Sequence, residues 1–191
     1  MVYLLALNTG LRAGEVWGLR PADIQRQNFI LTIKRQFNRI SLSMSLPKSK
    51  KPRVVPCNQN LMDELLTLIQ THQIKDHETI FQNEKRLPIC HDNFADRNFM
   101  KDLNSWGGRK IRFHDLRHTA TTLLISNNVD IKTVKEICGH ADITTTMNYV
   151  HLISGAIENV AKTFSISATQ IVTIGTFPTK TEFLSGGETE I

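Results

Sequence analysis

Between Phe113 and Leu124 the sequence reads FHDLRHTATTLL, which sets His114, Arg117 and His118 within five positions. Such a cluster fits a metal site, a phosphate site or the start of an ordinary helix. The metal reading rests on His114 and His118 standing four apart, as in the HExxH helix of zinc proteases. The residue after His114 is Asp115, one methylene short of the glutamate base of that motif, and it reads as a helix N-cap that leaves His114 outside the helix. The two imidazoles then need not share a face, and His140 is the one plausible third ligand. A core or capping role suits His118 better, and no metal is expected. A phosphate is favoured by Arg117: an arginine in the first helical turn presents a bidentate cation where backbone N–H groups and the helix dipole already attract an anion.

Other parts of the chain supply matching groups. Arg12 follows a Thr9-Gly10 break and opens a helix, with Glu15 three positions on to orient it. His140 follows the helix stop at Gly139, and Tyr149 lies nine residues further. At about 100° per residue Tyr149 sits about 200° around a helix from Met147, off the stripe of Ile143, Met147, Val150, Ile153, Ile157 and Val160. Its phenol is therefore expected to face outward.

The elements that must position these groups are mostly helical. Residues 1–8, MVYLLALN, read as a buried helix and 11–19 as a second, short one. From Phe29 to Cys57 the runs FILTIKRQ, ISLSMSL and RVVPC are β-branched or alternating, and predict a small three-stranded antiparallel sheet with Lys48 at the rim of its second hairpin. Residues 61–71 return to helical spacing, and 72–110 are polar with short helices. Beyond 113, Leu116, Ala120, Leu123 and Leu124 form one helical face; Asp130 caps a helix through Ile131, Val134, Ile137 and Cys138, which Gly139 ends. The fold class is α+β, mainly α-helical, with one domain over 1–164 and a flexible or docking tail over 165–191 that contains QIVTIGTF.

Composition narrows the partners. Ten Lys/Arg stand against two acidic residues within positions 1–60, a surplus that predicts a polyanion partner, because each cation placed on a phosphate releases condensed counterions. The three cysteines, Cys57, Cys90 and Cys138, are scattered, so neither a disulfide framework nor a CxxC motif is available. No apolar run approaches the roughly 20 residues of a membrane span, and no signal peptide is visible, which predicts a soluble, cytoplasmic chain.

Four segments, NTGLRAGEV (8–16), PKSKKPRVVP (47–56), FHDLRHTATTLL (113–124) and ICGHADITTTMNYVH (137–151), together resemble the catalytic domain of tyrosine recombinases, the phage-type integrase family. The resemblance implies that fold and a site of Arg12, Lys48, His114, Arg117, His140 and Tyr149. By it, Arg12 and Arg117 bind the phosphate, His140 donates to it, His114 is the candidate base for Tyr149, and Lys48 is the candidate acid for the departing 5′-hydroxyl, preferred to its rivals Lys50 and Lys51 for its distance from the VVP end of the hairpin. Glu15 and His118 stand behind them, and Lys50, Lys51 and Arg53 touch the DNA backbone, which gives affinity without sequence information. The implied reaction is breaking and rejoining of double-stranded DNA through a 3′-phosphotyrosyl link, with no ATP, metal or other cofactor. A tyrosine of ordinary pKa about 10 needs both a base and a strongly positive site for that attack. A protein that is monomeric when free and tetrameric on paired sites is expected. The family's upstream DNA-binding domain is absent from this sequence, so weak, poorly selective DNA binding is expected of the chain alone. Two rival functions share the residue pattern: a type IB topoisomerase-like nicking and closing enzyme, and a non-catalytic DNA-binding remnant.

Overall fold

The computed structural model describes residues 1–107 and 109–150. Helix α1 (Val2–Thr9) is followed after Gly10 by α2 (Ala13–Gly18). Five short strands follow: β1 (Ile24–Gln25), β2 (Ile30–Ile33), β3 (Gln36–Asn38), β4 (Ser43–Ser45) and β5 (Arg53–Pro56). The remainder is helical: α3 (Gln59–Thr71), α4 (His91–Phe94) running through a π turn (Ala95–Phe99) into α5 (Met100–Trp106), then α6 (Phe113–Ser126), α7 (Ile131–Cys138) and α8 (Ile143–Val150). The mainly helical class with a small antiparallel sheet near the N-terminus is as the sequence predicts. Among the described residues no helix is long and apolar enough to cross a membrane. The tail 165–191, and the positions Ile153, Ile157 and Val160 assigned to a last apolar stripe, lie outside the described residues.

The strands pair differently from the expectation. β2 pairs antiparallel with β5, Leu31 opposite Val55, and its other neighbour is β1, with Ile24 opposite Leu31. The segment expected as the middle strand instead forms a separate hairpin, β3 with β4, Phe37 opposite Met44. The reason lies in α2. Gly14 and Gly18 strip that helix of side chains on one side, and the β3 backbone settles there: a Cβ on Gly14 would stand 2.8 Å from the Phe37 carbonyl oxygen. The hairpin is therefore claimed by a helix rather than by the sheet. The β2–β5 pair keeps the period-two alternation of a half-buried sheet, with Leu31, Ile33 and Val55 buried and Val54 exposed.

The core forms around Trp17, which is fully buried with Phe94 at 4.9 Å and Phe113 at 5.8 Å between ring centroids. Offset and edge-on aromatic contacts of this kind add to simple area burial. α1 and α6 pack together beside it, so the loop that leads into Arg12 and the helix that carries Arg117 share one wall. Two details of α6 depart from expectation. Leu123 is exposed while Phe113, Leu116, Ala120 and Ile125 are buried, so the core face is rotated toward the start of the helix. The N-cap is Arg112 and not Asp115, whose carboxylate sits at N3 and accepts the Arg112 N–H at 2.8 Å. That moves His114 into the first helical turn. α7 matches expectation: Asp130 accepts from the Thr133 N–H at 3.0 Å, and Gly139 ends the helix with φ of 67°.

An alanine at an ordinary helical glycine gains about 1 kcal/mol. At Gly14 the 2.8 Å approach to backbone outweighs that gain, so Gly14→Ala is expected to destabilise the domain by about 1–3 kcal/mol. A urea denaturation midpoint at or above that of the native chain would show that the hairpin yields freely.

Candidate active site

Three consecutive carbonyls at the end of α7 each accept a hydrogen bond from a different arginine. Arg53 Nε donates to the Ile137 oxygen at 2.8 Å, Arg117 Nη2 to Cys138 at 2.7 Å, and Arg12 Nη2 to Gly139 at 2.8 Å. The last carbonyls of a helix lack intrahelical partners and carry the negative end of its dipole, so they attract cations. Gly139 is suited to this crossing on two counts. Its φ is left-handed, and a Cβ there would lie 2.9 Å from the Arg53 guanidinium.

Glu15 gathers two of the three arginines. It is fully buried, accepts from Arg53 Nη1 and Nη2 at 2.7 Å each, and takes the Arg12 backbone N–H at 2.8 Å and its Nη1 at 3.4 Å. Burial pushes its carboxyl upward, but the Arg53 fork and Arg12 outweigh it and hold the pKa below the ordinary glutamate value. The basic run of its neighbours puts Arg53 on the DNA backbone, and the structure corrects this. Its guanidinium is turned inward and all three of its nitrogens donate to Glu15 and Ile137, leaving no fork for a phosphate.

Arg117 is 3% exposed and also donates from Nη1 to the Gly10 oxygen at 2.6 Å, which ties the loop after α1 to the end of α7. Burial, and next the Arg12 charge, pull its pKa down to about 10, so it remains a cation at neutral pH. Arg12 is partly exposed and has donors to spare. Beside them His140 is buried and shares a 2.8 Å hydrogen bond from Nδ1 to Thr146 Oγ1. That bond fixes the ring, whose plane stacks 6.2 Å from Tyr149.

Tyr149 reverses one expectation. It is 7% exposed and packs with Ile125, Val134 and Cys138, whereas Ile143 and Met147 of the supposed stripe are exposed. α8 docks through Thr146, Tyr149 and Val150, an i, i+3, i+4 face that mixes polar and aromatic residues and so escapes an apolar periodicity count. Burial raises the phenol pKa above the usual value, and the Arg117 charge pulls against it. The hydroxyl is hydrogen-bonded to His118 Nδ1. His114 and His118 do share a face, rings edge-on at 4.8 Å, contrary to expectation, because both lie within α6. Among the described residues no hydrogen bond joins His114 to Tyr149.

Lys48, Lys50 and Lys51 are exposed on the turn between β4 and β5 and, with Lys135 and His140, line an open groove of about 810 Å³. Sequence reasoning misses Lys135 and Thr146; the first is one of many surface lysines, and the second is one of three adjacent threonines whose inward member only packing selects.

Partial burial, and then neighbouring cations, push His114 down to about 4; burial, with Arg117, Arg12 and Arg53, does the same to the better-buried His140. A histidine depressed in this way takes up its proton later in the folded chain than in the unfolded one, whose value stays near 6.5. Stability is then present above pH 6.5 and falls as the pH drops toward about 4. Denaturant midpoints measured across that window should decline, and His140→Gln should flatten part of the decline; an unchanged slope in the variant would remove His140 from the cause.

Residues 1–154 match the phage integrase family. A XerC-like tyrosine recombinase of Caldanaerobacter subterraneus is 28% identical, the match covering 86% of this chain and 48% of the relative. The tyrosine recombinase XerC of Chlamydia trachomatis is 32% identical, over 78% of this chain and 44% of its own length. The chain thus spans just under half the length of these curated relatives. The solved Tn1549 transposon integrase, in complex with a circular intermediate DNA, superposes with a TM-score of 0.68 at 22% identity, over 78% of this chain and 52% of that one, a likeness of fold. Sequence match and fold converge: the chain belongs to the phage integrase family, the tyrosine recombinases.

Proposed function

We propose that this domain breaks and rejoins double-stranded DNA as a site-specific recombinase or integrase, through a phosphotyrosyl link on Tyr149. The observation that carries the reading is a phenol hydroxyl set beside a buried arginine and between two imidazoles, next to a groove walled by lysines. Arg12 and Arg117 supply the positive charge that two non-bridging phosphate oxygens and a pentacoordinate transition state require. His140 donates a further hydrogen bond from the ring edge that Thr146 leaves free. His114, beside His118 at the start of α6, is the residue that the family resemblance implies as base for the Tyr149 proton. Lys48, on its exposed turn, protonates the departing 5′-oxygen. Lys50 and Lys51 hold the DNA backbone. The chemistry needs no ATP or metal, since the bond energy is kept in the phosphotyrosyl ester.

The catalytic domain is taken as residues 1–164 and the remainder as a tail, with tetramers forming on paired recombination sites. Of the related proteins, the Tn1549 integrase is known bound to DNA, which supports a duplex as the partner here.

Nicked suicide duplexes incubated with the protein in EDTA should yield an SDS-resistant DNA adduct. Tyr149→Phe should abolish it, and Arg12→Ala should slow it roughly 100- to 1,000-fold, the usual cost of losing one transition-state donor. An adduct that persists in Tyr149→Phe would overturn the assignment. In a salt series, replacing Lys50 and Lys51 by alanine should flatten log K against log salt by about 0.9 for each phosphate that is no longer neutralised. An unchanged slope would take both lysines off the backbone.

A further inference from the structure

We propose that His118, rather than His114, receives the Tyr149 proton, and that Asp115 positions it for that transfer. The inference rests on the strand-cleaving reading above and deepens it.

His118 Nδ1 is the group hydrogen-bonded to the Tyr149 hydroxyl. Its other ring nitrogen, Nε2, lies 3.9 Å from Asp115 Oδ1, beyond direct hydrogen-bond distance but within reach of the carboxylate's charge. A neutral imidazole has one donor and one acceptor nitrogen, and the charge of the nearby carboxylate favours the hydrogen on the nitrogen that is closer to it. With the hydrogen on Nε2, facing Asp115, the lone pair on Nδ1 faces the phenol O–H. Nucleophile, base and orienting carboxylate then stand in the order familiar from serine hydrolases, with a phenol in place of the alcohol. Helical spacing provides the link, because Asp115 and His118 are i, i+3 neighbours on α6. Asp115 is itself held by Arg112 at 2.9 Å, which keeps it ionised and below the ordinary aspartate pKa.

Both histidines reach solvent, and the contact with the Tyr149 hydroxyl is what separates them. His118 borders an open groove of about 520 Å³ that is lined by Arg109, Lys110 and Asp115, so a proton taken from the buried phenol has a route to water. His114 stands edge-on to His118, one turn nearer the start of α6. In the step itself the phenol O–H bond breaks as an N–H bond forms at His118 Nδ1. The phenolate oxygen bonds to phosphorus, the bond from phosphorus to the 5′-oxygen breaks, and that oxygen takes a proton from Lys48. Religation runs the same transfers backwards, so His118 returns the proton to Tyr149.

The test has two readouts. The first is ¹⁵N spectroscopy of the histidine rings in the free protein, which involves no cleavage. His118 should be the Nε2–H tautomer, its Nδ1 resonance should move in Tyr149→Phe, and Asp115→Asn should redistribute the tautomers. An Nδ1–H tautomer, or a resonance indifferent to Tyr149→Phe, overturns the inference. The second is single-turnover adduct formation. His118→Ala should lose roughly 100- to 10,000-fold in rate, the range of general base catalysis, with DNA affinity retained and activity partly restored by added imidazole. A His118→Ala rate within about threefold of the native protein, with His114→Ala the more damaging change, also overturns it. If the spectra agree but the native protein forms no adduct, it is the strand-cleaving reading that fails, and the base assignment falls with it.

Discussion

The arginine cluster of this domain is organised by the C-terminal end of one short helix. α7 is only eight residues long, yet its last carbonyls and the glycine beyond them receive arginines from the start of α2, from α6 and from β5. The donors are 21 to 127 residues away in sequence. Guanidinium groups repel one another, and bringing three together requires acceptors fixed beforehand. The helix end supplies them with rigid geometry and partial negative charge, which is why Gly139 cannot readily be anything larger.

Charge balance completes the arrangement. Among the described residues Glu15 is the buried carboxylate in contact with two of these arginines, and it neutralises Arg53 through a full bidentate pair. Arg53 therefore acts as a brace, keeping β5 and α2 against α7. Arg12 gives Glu15 only one long side-chain contact, and Arg117 gives it none, so their positive charge is left largely uncompensated. The two depressed histidines register that surplus as well: burial is the larger cause of their shift, and the neighbouring arginines add to it.

Much of this is legible in the sequence because the informative residues are local punctuation. Asp130 and Gly139 bound α7 as caps do, and Thr9-Gly10 separates the first two helices where expected. The strand order is not legible, because a strand's partner depends on what else competes for its edge. Here Gly14 and Gly18, which read merely as weak helix formers, open α2 to the β3 backbone. Tyr149 is misplaced by sequence reasoning for a related cause: apolar periodicity assumes that a helix buries its oily side, whereas α8 buries the side that carries the threonine and phenol used by the two histidines. Arg53 looks like its lysine neighbours in a basic turn, and only the position of Glu15 across the sheet edge separates a bracing arginine from an exposed one.

The long-range nature of the Arg117 contacts has a consequence for the chain as it is made. Its guanidinium needs the carbonyl of Gly10 and that of Cys138, and the phenol follows eleven residues after the second of these. During synthesis Arg117 can complete its anchors only once Cys138 has been made, and Tyr149 comes after that. A polypeptide that ended between these two positions would thus contain every group that anchors Arg117 and still lack the phenol.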